Sequence, residues 1–213
     1  MTRSLLALFS AVTLSGCHFI DGGPDVSETR ALEAFTRVQV EDAIPVKVSP
    51  GAPQVVINSQ QKVVENLQTI VKDGQLTVRL KPGVIVESFD FTEILITSAG
   101  IDAVEANGAS SLTATGLDAS QLRVTASGAS KVTVSGATGD LRANASGAST
   151  IDALQLAATV ASVEASGASK VDLNVSQSVE GTASGASHVT VTGGASTTQI
   201  STSGGSTVSS ATR

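Results

Sequence analysis

The sequence predicts an all-β fold: a right-handed parallel β-helix with coils of about 20 residues, preceded by an irregular β capping region. Three observations predict it. First, one small-residue phrase recurs six times. It reads Asn107-Gly108-Ala109-Ser110, Ser127-Gly128-Ala129-Ser130, Ser146-Gly147-Ala148-Ser149, Ser166-Gly167-Ala168-Ser169, Ser184-Gly185-Ala186-Ser187 and Ser203-Gly204-Gly205-Ser206. Its glycines are 20, 19, 20, 18 and 19 residues apart, the periodicity of a solenoid. Second, apolar residues alternate on both sides of each phrase. Val132 and Val134, Ile151, Val171 and Leu173, Val189 and Val191 follow it, and Leu122, Val124 and Ala126 or Leu141, Ala143 and Ala145 lead into the next. Alternation with period two places one face of a strand in a core. Third, no helix-length segment separates these strands. Equivalent strands must therefore pair in parallel, one coil to the next, and such crossovers are nearly always right-handed.

Taken in order, residues 1–16 read as a targeting segment rather than structure. Arg3 precedes the short apolar run Leu5–Leu14, which ends Leu14-Ser15-Gly16-Cys17. That ending resembles a bacterial lipobox, with cleavage before the cysteine that carries the lipid. The resemblance implies a membrane anchor at Cys17, by a thioether-linked diacylglycerol and an N-acyl chain. Cys17 is the only cysteine, so an internal disulfide is impossible. With His18 rather than Asp after it, the resemblance points to the outer membrane of a Gram-negative bacterium, on its periplasmic or surface side. Residues 17–33 read as the lipidated cysteine and a flexible polar tether containing Gly22-Gly23-Pro24.

Residues 34–100 read as a β-rich cap. Val38 and Val40, then Ile44, Val46 and Val48, then Val55 and Ile57 mark three strands. Val63–Leu67 fits either one helical turn or a loop. The run Thr69–Lys72, Asp73-Gly74, Leu76–Leu80 is a hairpin signal. Phe89, Phe91, Ile94 and Ile96 are expected to fill the thickest part of the core. Residues 101–206 carry the β-helix repeats. Glycine at each phrase fits a sharp corner, Ala106, Ala126, Ala145, Ala165 and Ala183 line the narrow approach to it, and the serines stack as ladders. Residues 207–213 read as a polar C-terminal tail. The weakly apolar last coil could also be where another subunit docks.

Together, the lipobox, the Phe35-Thr36-Arg37-Val38-Gln39-Val40 opening, the hairpin Val71–Val78 and the S-G-A-S coils resemble the putative auto-transporter adhesin head GIN domain family. The resemblance spans roughly residues 34–206. It implies a β-helical domain, with pectin-lyase-like shape but without shared catalytic residues, and adhesion as the proposed role. Many members carry S-G-S-G-D coils. Here Ala stands in the second small position and Asp is mostly missing from the phrase.

Composition and motifs narrow the chemistry. The chain has net charge −6 and no basic stripe, a poor basis for binding nucleic acid. It has no Trp or Tyr, and its five Phe all lie at or before Phe91, so the repeats offer no aromatic platform for stacking sugars. Asp152 and Asp172 occupy equivalent places in successive coils, with Lys131 and Lys170 two places before such positions. Stacked carboxylates could hold a cation, but lysines beside them read better as cross-rung surface pairs. Arg123 and Arg142 are also equivalents and could grip a uronate or phosphate; the alternative is a solvated outer face. His188 stands alone. There is no G-x-S-x-G, H-E-x-x-H or phosphate loop.

The expectation is a non-enzymatic, lipid-anchored envelope protein that needs no cofactor or metal. It would be an adhesin-like module whose partner is a glycan or an envelope or host surface protein. Its rivals are a polysaccharide-active, pectin-lyase-like enzyme and a periplasmic structural or assembly lipoprotein.

Overall fold

A computed structural model describes residues 18–19, 23–86 and 88–210 of the chain. The targeting segment 1–16, Cys17 and the tail residues 211–213 lie outside the described residues. Two strands stand where a tether was expected. The first, β1 (His18–Phe19), pairs in parallel with Val84–Ile85, and β2 (Asp25–Ala31) pairs antiparallel with Gln54–Gln60. Residues 25–31 are therefore not a free linker. The backbone edge of the partner strand claims them, although their own side chains show little alternation. Arg30 fastens the strand by donating to the carbonyls of Leu67 (2.9 Å) and Val64 (3.1 Å).

The first coil comprises β3 (Arg37–Val40) and β4 (Pro45–Pro50), and it buries Val38, Val40, Ile44, Val46 and Val48. Its corner is tight: Asp42 and Ala43 have φ of 60° and 61°. The Asp42 carboxylate accepts the Leu80 amide at 2.9 Å, which pins the corner in place. After it come β5 (Gln54–Gln60), the helix α1 (Gln61–Asn66), β6 (Leu67–Lys72) and β7 (Gln75–Leu80). The Val63–Leu67 ambiguity thus resolves largely as helix, with Val63 and Val64 buried. Strands β6 and β7 form the expected antiparallel hairpin across Asp73 and Gly74, whose φ values of 51° and 74° suit a two-residue turn. The chain continues through β8 (Val84–Ile85), β9 (Glu93–Ser98) and β10 (Ala103–Ala106). Ile94 and Ile96 are fully buried, but Phe91 is 79% exposed. Its assignment to the core was wrong because it precedes β9 in the Phe89–Thr92 turn, closed by a Thr92 N–H bond to the Phe89 carbonyl.

These coils do not stack in chain order. Strands β7 and β9 pair with β3 and β4 from one side, while β10 and the next strand pair with them from the other. Residues 37–50 thus form a rung trapped between two rungs made later in the chain.

From there the repeats stack regularly as β11 (Ser111–Ala126), β12 (Lys131–Ala145), β13 (Thr150–Ala165), β14 (Lys170–Ala183), β15 (His188–Thr192), β16 (Thr197–Thr202) and β17 (Thr207–Ser210), all parallel. Each full coil has two main faces. Face A follows the small-residue phrase, with the buried column Leu112, Val132, Ile151, Val171 and Val189. Face B precedes it, with Leu122, Leu141, Ala161 and Val179. A short third side, reached through register shifts, buries Leu117, Thr138, Leu156, Ala158 and Val175. Residues 207–210 are not tail: as β17 they pair with β15 and complete the last rung.

The phrase makes the corner between faces B and A. Gly128 has φ 76°, and a Cβ there would lie 2.5 Å from the Gly108 carbonyl oxygen, so only glycine permits this stacking. The last serine of each phrase is inward and buried at Ser110, Ser130, Ser149, Ser169 and Ser187. From Ser130 onward it donates to an alanine carbonyl one coil back, as from Ser149 to Ala126 at 3.0 Å and from Ser206 to Ala183 at 2.8 Å. That satisfies a buried hydroxyl which would otherwise cost free energy.

Candidate functional site

The two faces present different outward chemistry. On face A, Ser111, Lys131, Thr150, Lys170, His188 and Thr207 form one ladder. Beside it run Thr113, Thr133, Asp152, Asp172 and Thr190. Asp152 and Asp172 are aligned on adjacent rungs, as the spacing implied. Their environments differ. Lys170 Nζ lies 2.7 Å from Asp172 Oδ2, a pair within one strand rather than across rungs, and Asp172 is buried beneath it. The Asp172 carboxylate, through its hydrogen bond and then its charge, raises the Lys170 pKa above the usual lysine value. Asp152 instead accepts the Leu154 amide at 3.2 Å. Among the described residues Lys131 has no ion pair, and no group of three or more metal-ligating side chains occurs. His188 meets Thr207 Oγ1 at 2.5 Å.

Face B carries the ladder Arg37, Ala103, Arg123, Arg142, Ser162, Glu180 and Gln199. Alternation points these residues out, since Val38, Val104, Leu122, Val124 and Leu141 fill the core between them. Arg123 and Arg142 are exposed, on neighbouring rungs about 4.8 Å apart. Among the described residues neither guanidinium has an ion pair or a side-chain hydrogen bond. Arg37 donates to the Asp73 carbonyl at the hairpin turn.

Ala103 leaves a dip in this ladder. The resulting groove holds about 540 Å³, edged by Arg37, Gln75, Glu105, Gln121, Arg123 and Arg142. Glu105 is already engaged by the Asn107 amide at 2.8 Å. Past the two arginines a second hollow of about 530 Å³ runs over Ser162 toward Glu164 and Glu180. The sequence revealed the Arg123–Arg142 stack. It did not reveal Arg37 beside Ala103, because that neighbour arises from the out-of-order rungs. Chemically, the groove can bind anions and hydroxyls through forked donors and amides. Among the described residues that line it, no nucleophile stands paired with a base.

Residues 34–195 match the family described as putative auto-transporter adhesin, head GIN domain, and the chain belongs to that family. Among solved structures, a putative adhesin from Bacteroides fragilis is 16% identical, with a TM-score of 0.74 over 88% of this chain and 97% of that one. A putative adhesin from Parabacteroides merdae is 15% identical, with a TM-score of 0.57 over 91% of this chain and 99% of that one. A putative lipid binding protein from Parabacteroides distasonis is 13% identical, with a TM-score of 0.57 over 91% and 100%. At these identities the likeness is one of fold. Among curated proteins none matches the chain. No helix of the described residues is long and apolar enough to cross a membrane.

Proposed function

We propose that this member of the head GIN domain family is a non-enzymatic binding module, held at the outer membrane by lipid on Cys17 and presenting the outer faces of its β-helix to a partner. The observation that carries the reading is the rigid polar ladder of face B. Its side chains are set by a fully buried core, and two of its arginines, Arg123 and Arg142, have no side-chain partner within the described residues. Such an array gives repeated, individually weak contacts whose sum is strong. Membership in a family of adhesin-type domains supports binding over turnover. The run Leu5–Leu14 closing on Leu14-Ser15-Gly16-Cys17 supports the anchor. One acyl chain alone holds a protein only marginally, whereas several hold it stably.

Two measurements test this. Mass spectrometry of the membrane-extracted protein should find a mature N-terminus at a lipid-modified Cys17, and Cys17→Ser should leave the precursor uncut. A glycan and matrix-protein array probed with residues 18–213 should retain the protein on particular spots without cleavage products. Turnover on any spot would make it an enzyme, and an array blank throughout would point to a partner inside the envelope instead.

A further inference from the structure

We propose that the face B groove between Arg37 and Arg142 binds a uronate-bearing polysaccharide, its chain running along the solenoid axis. This rests on the binding-module reading and names the site and ligand class. Three observations carry it.

Arg123 and Arg142 place two positive charges on consecutive rungs with no carboxylate within ion-pair distance among the described residues. Like charges directly opposed across strands are unfavourable. A bound anion removes that repulsion, and the planar guanidinium fork matches a carboxylate bidentately. Next, the two forks repeat at the rung spacing of about 4.8 Å. A sugar ring in an extended glycan advances by a similar length, so successive acidic sugars meet successive arginines. Beyond them the dip over Ala103, about 540 Å³, has room for a further sugar before Arg37 offers a third cation. Finally, the remaining edge is made of hydroxyl-binding groups. Gln121 presents its amide, that of Gln75 being given to Gln39, and Asp102 and the Glu105 oxygen not taken by Asn107 accept from hydroxyls. Those two carboxylates also repel a densely charged polymer. That favours one carboxylate per sugar over sulfated chains or nucleic acid. With no aromatic in the repeats, recognition is polar and should weaken with salt.

The test is titration of residues 18–213, which contain every described element, with galacturonate oligomers of increasing length, followed by calorimetry. Affinity should rise with length and fall as salt rises. It should drop about tenfold in Arg142→Ala and in Arg123→Ala, and be lost in the double variant. Arg142→Lys should lose nearly as much, because lysine lacks the fork. All of these side chains are exposed, so circular dichroism and melting should be unchanged, and Thr133→Ala on face A should bind normally. Equal binding of the fully methyl-esterified oligomer, or of the double variant, would overturn the proposal. So would no binding of the acid oligomer by the wild type. If the array retains the protein elsewhere and the double variant is retained equally, the module reading stands and this site falls. If the array is blank and the acid oligomer is not bound, this site falls and the module's partner lies inside the envelope.

Discussion

The two ends of the solenoid are closed by different means. At the N-terminal end β2, β5 and β6 run antiparallel to their neighbours, and α1 adds Val63 and Val64 to the buried set. Large side chains fill that end: Ile57, Leu76, Ile94 and Ile96 are almost wholly buried. At the C-terminal end the last rung, β16 and β17, is mostly Ser and Thr, with only Ile200 and Val208 partly buried. One end is sealed by extra structure. The other stops by exhausting its apolar residues, so that little hydrophobic area remains to cover. An open strand edge invites pairing with other chains. Here its short, polar character is the only protection within the described residues. The comparison teaches that stability should be graded, high at the sealed end and through the middle and low at the last rung, as expected of a nearest-neighbour array.

The strongest way to break that gradient is from the middle. Val132→Asp buries an unpaired carboxylate between rungs and should cost about 4 kcal/mol or more; loss of the β-sheet circular dichroism signal would show it. A tolerated Val132→Asp would refute the column assignment. Leu76→Ala, at the sealed end, should cost about 3 kcal/mol in a denaturant melt. Val208→Ala, at the last rung, should cost well under 1 kcal/mol, because its side chain is partly solvated already. Equal losses would erase the distinction between the ends. Ser149→Ala removes a donor to Ala126 and should cost about 1 kcal/mol, unfolding the coil beyond it first. The smallest effect belongs to Lys170. Its pKa is raised in the fold, so its contribution is complete below the unfolded lysine value, about 10.4, and is lost as pH climbs through the folded value. Because Lys170 is 54% exposed, solvent screening keeps this to a few tenths of a kcal/mol. A melt series across that alkaline range should show a shallow decline that Lys170→Met lacks.

Much of the repeat half was legible because its physics is periodic. Leu112, Val132, Ile151 and Val171 recur at coil spacing, and nothing but stacking accounts for that. The hairpin at Asp73-Gly74 was legible because its turn needs left-handed residues. The third side was not. Register shifts between Ala114 and Leu117, and between Thr133 and Ser135, break the alternation there, and Leu117, Thr138 and Ala158 share no pattern. Strand β2 escaped notice because backbone pairing with β5, not apolar side chains, holds it. On the candidate site, Arg123 and Arg142 followed from the period alone. The Lys170–Asp172 pair followed in kind but not in geometry: residues two apart on one strand share a face, and they met before any rung neighbour did. The groove itself was hidden, since it depends on Arg37 lying one rung from Ala103.

That trapped rung also sets an order of assembly. As the chain emerges from its N-terminus, residues 37–50 appear with no partner for one side until residues 75–98 exist, and none for the other until 103–114 follow. Seating them is a non-local step that must bring distant segments together before any contact stabilises the loop, and such steps are slow. Every later coil then meets a finished template and adds by local contacts. Amide protection at Val38 and Val46 should therefore arise together with that at Leu76 and Ile96, and ahead of that at Val171. Growth would then proceed toward the C-terminus, as zipping follows a costly nucleus.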